Sequence, residues 1–178
     1  SAAGVAFSDR AMELISFHAI QASSALAQER GAYETFPGSK WSRGLLPIDT
    51  ARQRETHLGE AAWAALRTQV QAQGMRNSNV MAIAPTATIS IIMGTTPCIE
   101  PIFEIERSEK NMSGQFKVVD PCVKYGRPDL LKTVWEIDPG WILQSAAARQ
   151  KWIDQSQSVN ILDRKSTRLN TSRRASTS

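Results

Sequence analysis

The stretch Asn79–Gly94, NVMAIAPTATISIIMG, sets two threonines between two apolar runs, where core packing alone would call for neither. Asn79–Ala84 has the length and apolar character of a buried strand. Pro85 stops it, and Ala87–Met93 reads as a short helix closed by Gly94. A strand, a turn and a helix N-terminus leave backbone N–H groups without acceptors inside the helix, and the helix dipole there favours an anion. Thr86 and Thr88 add hydroxyl donors, and Ala87 lets the backbone come close. Pro85, Thr86, Ala87, Thr88 and Ile89 therefore form a candidate phosphate cradle. It is not a P-loop, because the pattern GxxxxGK[ST] is absent. The plain alternative is a threonine that caps a helix and does nothing more.

The other reactive side chains point to less. Cys98 and Cys122 form no CxxC, and two histidines, His18 and His57, give no metal-ligand spacing. Cys98 sits beside the cradle in TTPCIEP without an evident base or cation, so it reads as a small buried hydrophobe. Cys122, after a proline, reads the same way. Glu100 either faces a site or bonds backbone N–H groups nearby. Asn77 and Ser78 either orient the cradle or close a turn. Trp135, Trp141 and Trp152 fall on expected helices, where core packing accounts for them. The polar run Asp154–Gln157 has the look of a brace for a neighbouring loop. No catalytic residue and no metal ligand is assigned within this chain.

The 178 residues allow one domain with a sizeable core, at 42% hydrophobic and 21% charged. No apolar run approaches the ~20 residues that span a bilayer. No basic-then-apolar leader opens the sequence, and the two cysteines fit a reducing compartment, so the expected location is cytoplasmic. The net charge of +4 raises the question of nucleic acid. It sits in the last sixteen residues, Asp163–Ser178, which hold five basic residues and one acidic; the rest of the chain carries sixteen of each sign. No aromatic residue interleaves there to stack on bases, so no nucleic-acid partner is expected. A basic, solvated tail is the ordinary reading. DRKSTRLN also resembles the conceptual translation of a DNA-sequencing adapter. The expected organisation is thus a body, 1–162, and a basic, non-native tail, 163–178.

The elements that must hold the cradle follow from periodicity. Phe7–Arg30 is expected to be a helix with Met12, Ile15, Ala19, Ala22 and Leu26 on its buried stripe and Gly31 as its stop. Tyr33–Thr50 is a packed loop rich in proline and glycine. His57–Gln73 is a second helix with Ala62, Leu66 and Val70 inward and Gly74 after it. Asn79–Ala84, Gln115–Val119 and Ser158–Leu162 are strand candidates. Pro128–Ile137 is a helix candidate, and Asp138 caps another that begins at Pro139. Strands alternating with helices imply an α/β fold with parallel pairing.

Several ordered motifs carry a resemblance. RNSNVMAIAPTATISIIMGTTPCIEP (Arg76–Pro101), with GLLPIDT (Gly44–Thr50), FKVVDP and RQKWIDQSQSVNIL (Arg149–Leu162), is similar to the catalytic large subunit of ribonucleotide reductases. The resemblance runs through most of Phe7–Leu162. It implies a partial segment of that family's ten-stranded α/β barrel, from its C-terminal part. It implies that Pro85–Ile89 bind the diphosphate of a ribonucleotide. DQSQSVN resembles class I, which implies a ribonucleoside diphosphate substrate, a homodimer of large subunits, allosteric ATP and dNTP, and a small partner subunit carrying a dimetal radical cofactor. IEPIFEI leans towards the adenosylcobalamin-dependent class II. The chain contains no Asn-x-Cys-x-Glu radical loop and no tyrosine pair, so it is expected to bind no cofactor itself and not to be active alone. The rival reading is a separate nucleotide- or phosphate-binding module without redox activity.

Overall fold

The computed structural model describes residues 1–52, 54–112, 114–121, 123 and 128–162. Cys122, Tyr125 and the 163–178 tail lie outside the described residues.

Four helices carry the structure: α1 (Ala2–Arg30), α2 (Glu60–Gln73), α3 (Ala87–Met93) and α4 (Pro139–Gln150). Short 3-10 turns occupy Pro47–Thr50 and Pro128–Leu130. Two strands, β1 (Glu106–Asn111) and β2 (Gly114–Val119), pair as an antiparallel hairpin from Glu106 opposite Val119 to Asn111 opposite Gly114. α1 packs against both α2 and α4. No helix among the described residues is long and apolar enough to cross a membrane.

α1 is amphipathic in an unexpected sense. Of the five residues of its expected stripe, Met12 is buried, whereas Ile15 and Leu26 are exposed. The buried face carries Glu13, Ser16, Ile20, Ser23, Ser24 and Ala27 instead. Hydrogen bonding explains the reversal, because buried polar groups persist where they find partners. The Glu13 carboxylate, fully buried, accepts from the His57 N–H (2.7 Å), the Leu58 N–H (3.1 Å) and the Trp63 indole N–H (2.9 Å). Those bonds hold residues 57 and 58 outside the helix, so α2 starts at Glu60 and not at His57. Ser24 donates to Gln73 Oε1 at 3.3 Å, and Ser23 to Asn77 Oδ1 at 3.1 Å.

The apolar core lies where α1, α2 and the Tyr33–Thr50 loop meet the chain after α4. Trp63 stacks on Trp152 with ring centroids 5.5 Å apart, and Leu46, Ile48, Leu66 and Val70 close round them. Leu66 and Val70 occupy the inward face expected of α2. The loop is pinned by Arg67, which bonds both Asp49 carboxylate oxygens (2.8 and 2.9 Å) and the Gly44 carbonyl (2.8 Å). Gly44 has φ +71, and a Cβ there would meet the Gln71 side chain at 2.8 Å, so this close turn requires glycine. Asp138 caps α4 as expected, accepting from the Gly140 N–H at 2.7 Å, with Pro139 at the first helical position.

Four further expectations fail. Asn79–Ala84 and Ser158–Leu162 form no strand, and the one strand pair among the described residues is antiparallel, not parallel. A strand exists only where a neighbour completes its hydrogen bonds. Val80 and Met81 instead donate to the Asp154 carboxylate, and Asn160 to that of Glu100. Pro128–Ile137 keeps only its first turn as 3-10 helix. The Thr133 N–H is taken by the Glu136 carboxylate at 2.8 Å, a local bond that competes with helix.

Candidate functional site

The approach to the cradle is anchored on the core half of the molecule. Asn77 receives the Ser23 hydroxyl and donates its own N–H back to Ser23 Oγ at 3.1 Å. The Ser78 carbonyl accepts from the Trp41 indole N–H at 2.8 Å. Both residues thus orient the chain that leads to the cradle, and they do more than close a turn. Next, Val80 and Met81 donate to Asp154 at 2.6 and 3.2 Å.

Pro85 ends the extended run and α3 begins at Ala87, as the sequence predicts. The Thr86 N–H (3.0 Å) and the Thr86 hydroxyl (3.1 Å) both donate to the Pro97 carbonyl. The two arms of the excursion therefore touch at Thr86 and Pro97, with α3 between them. The first backbone bond of the helix runs from the Ser90 N–H to the Thr86 carbonyl at 2.7 Å. The N–H groups of Ala87, Thr88 and Ile89 precede that bond and have no acceptor in the helix's own ladder. Gly94, at φ +64, ends the helix. Pro85, Thr88 and Ile89 are exposed. The segment thus offers consecutive backbone donors and the Thr88 hydroxyl to solvent, while the Thr86 hydroxyl proton is committed to Pro97. That arrangement can hold an anion.

The downstream arm is polar as well. The Cys98 thiol donates to the Glu100 carbonyl at 3.8 Å; burial pushes its pKa up, away from the reactive thiolate. It is half-buried rather than fully buried. Glu100 reaches beyond its own loop and accepts from the Asn160 N–H (2.7 Å) and side-chain amide (3.2 Å). A cavity of about 560 Å³ opens between this arm, the start of α1 and α4. Arg149, 4% exposed, lines it and donates to Ser145 at 2.7 Å. Burial lowers the pKa of its guanidinium, and the Glu100 charge opposes that shift. A second cavity, about 470 Å³, lies between the Tyr33–Thr50 loop and Asp154. None of Pro85–Ile89 lines either cavity.

The histidines stand apart from the cradle: His57 meets Asp9 at 3.3 Å, and His18 meets Gln21 at 3.3 Å. Trp152 is a core residue, whereas Trp135 is partly exposed. The ties of Asp154 to Val80 and Met81, and of Glu100 to Asn160, join residues 60 to 74 positions apart. Their only trace in the sequence is an unexplained polar run directly after Trp152 and Ile153.

Comparison with known proteins identifies the family. The chain matches the family described as "Ribonucleotide reductase, barrel domain" over residues 1–127 and 122–174, and it belongs to that family. It is 44% identical over 160 residues to the ribonucleoside-diphosphate reductase subunit alpha of Helicobacter pylori strain J99, covering 86% of this chain and 20% of that protein. It is 41% identical to the corresponding subunit of Chlamydia trachomatis, covering 88% of this chain and 19% of the relative. It is 36% identical to the ribonucleoside-diphosphate reductase large chain 2 of Saccharomyces cerevisiae, covering 82% and 20%. The chain spans about one fifth of the length of these relatives. The described residues form no closed barrel.

Proposed function

We propose that this chain is a segment of the large subunit of a ribonucleoside-diphosphate reductase, and that Pro85–Ile89 hold the phosphates of its ribonucleotide substrate. The observation that carries the reading is the start of α3, where the Ala87, Thr88 and Ile89 N–H groups stand outside the helix ladder. Thr88 supplies a hydroxyl donor, and Thr86 braces the turn through Pro97. The substrate class is a ribonucleoside diphosphate, and the product is the deoxyribonucleotide. The segment supplies phosphate binding and part of the barrel wall. The radical chemistry belongs to the whole protein, working as a large-subunit dimer with allosteric ATP and dNTP and with a small, dimetal radical-generating subunit. The names of the relatives favour this class I reading over the cobalamin-dependent one. The adapter-like sequence of 163–178 supports reading that tail as foreign to the body, 1–162, against a family match that runs on to residue 174, and the proposed site of action is the cytoplasm.

The test is Thr88→Val in the full-length protein that carries this segment, assayed for ribonucleoside diphosphate reduction with its small subunit. Loss of a hydrogen bond to a charged phosphate is worth about 1.5–3 kcal/mol. That converts to a roughly ten- to hundredfold higher KM at nearly unchanged kcat. An unchanged KM removes Thr88 from the site. A full-length protein that reduces no ribonucleotide overturns the enzyme assignment and leaves the separate binding module.

A further inference from the structure

Val80, Met81 and Ile83 still pack against the core, and between Ala84 and Glu100 the chain makes one excursion away from it. It is closed at its neck, where Thr86 donates twice to the Pro97 carbonyl. Among the described residues, none of 84–150 belongs to the apolar cluster built on Trp63 and Trp152. The position of α3 must therefore be transmitted by other means. Both arms of the excursion are held from one short segment, Asp154–Asn160. On the incoming arm the Asp154 carboxylate accepts from Val80 and Met81. On the outgoing arm Glu100 accepts from the N–H and the side-chain amide of Asn160.

We propose that Asp154–Asn160 is a clamp that positions the phosphate cradle, with Asp154 as its principal positioning residue. The assignment rests on the cradle reading of Pro85–Ile89 and adds what fixes that cradle in space. The clamp is itself fixed. Trp152 and Ile153, directly before it, are buried in the core. Gln157 donates to the Ala146 carbonyl at 2.6 Å, and the Gln150 side chain donates to the Gln155 carbonyl at 3.0 Å, so the segment is tied back onto α4. Six residue steps span at most about 20 Å, so the two grips cannot separate far while these ties hold.

The chemistry suits the task. In a regular strand consecutive N–H groups point to opposite edges, so one acceptor cannot take both. A single carboxylate that takes two consecutive N–H groups sets a local backbone geometry that ladder pairing would not allow. It also fixes the approach four residues before Pro85. Bonds from N–H groups to a carboxylate are short and about twice as strong as neutral ones. The negative charge is spent on the Val80 and Met81 amides, upstream of the donors left for the ligand.

The experiment uses the full-length protein that carries this segment, with Asp154→Ala and Asp154→Asn, read by amide hydrogen exchange and by titration with ADP. Asp154→Ala should speed exchange at Val80, Met81 and Thr86 by roughly tenfold or more, as expected for a lost charge-assisted bond, while the α2 amides keep their rates. ADP affinity should fall by about the same factor. Asp154→Asn keeps one acceptor oxygen and should fall between the wild type and the alanine variant in both readouts. If Asp154→Ala does not fold, the asparagine variant alone decides the matter through its local exchange pattern. Unchanged exchange at residues 80–86 overturns the clamp, as does an acceleration shared equally by α2. A wild-type chain that binds no ADP overturns the cradle reading, and the clamp is then judged on the exchange pattern alone.

Discussion

The two halves of this molecule are held by different forces. Around α1, α2 and the chain after α4, large apolar side chains such as Trp63, Trp152, Ile20 and Leu46 are sealed from solvent, with Glu13 and the Arg67–Asp49 pair bonded at their edges. Around α3 the order is inverted. Ile89, Ile92 and Met93 are 64, 79 and 69% exposed, and the backbone is held by Pro97, Asp154 and Glu100. One half has a core of its own. The other borrows its position from that core through hydrogen bonds and the contacts of Val80, Met81 and Ile83 on its incoming arm. On the proposed reading, a segment that presents bare N–H groups to an anion cannot bury them, so its order has to come from outside.

The largest break of this comparison is Trp152→Ala. The indole is fully buried, stacks on Trp63 and donates to Asp9 at 2.6 Å, and Lys151 lies over its ring. Truncation removes a large buried side chain and leaves an Asp9 oxygen without that donor, at a cost of about 3–5 kcal/mol. Urea melts of the chain should show the whole structure shifting, the cradle included, because Asp154 follows two residues later. A cradle that keeps its exchange protection in this variant would mean that the two halves are independent.

Glu13→Gln is the next largest. The carboxamide keeps one oxygen for Leu58 and Trp63 but turns an NH2 group towards the His57 N–H. One buried donor loses its acceptor, which costs about 1–3 kcal/mol. The same melts read the loss. An equal loss in Glu13→Leu and Glu13→Gln would show that volume, not bonding, matters at this position.

The sequence made the cradle half more legible in type than in setting. Ala87–Met93 and the Asp138 cap with Pro139 follow from local signals, namely a proline stop, a closing glycine and a capping carboxylate, and the structure has all of them. The buried face of α1 was not legible. Periodicity selects Ile15 and Leu26, but Glu13, Ser16 and Ser23 turn inward because their partners lie in residues 57–77. No window on α1 contains those partners. The same reason hid the failure of Asn79–Ala84 as a strand: apolar character predicts extension, whereas pairing depends on a neighbour, and here a carboxylate 74 residues away takes the N–H groups. The family was legible because its motifs are linear, and the turn into α3 because a proline and a glycine bound it. The braces of the Pro85–Ile89 turn are side chains distant in sequence, so they emerge only in the folded chain.

The smallest effect sharpens the contrast most. Ile92 lies on α3, one turn from the cradle, and is 79% exposed. A large apolar residue in a self-sufficient core could not be exchanged for a carboxylate, as Val70 on α2, fully buried, illustrates. Ile92→Glu removes almost no buried surface, and surface substitutions of this kind usually change stability by within about 0.5 kcal/mol. Isoleucine is also a weaker helix former than glutamate, which offsets part of any loss. The urea midpoint of this chain should therefore stay nearly unchanged. A drop of 2 kcal/mol or more, on the order of a lost buried aliphatic side chain, would mean that α3 packs in solution against something it does not touch here, and that the cradle half has a core of its own.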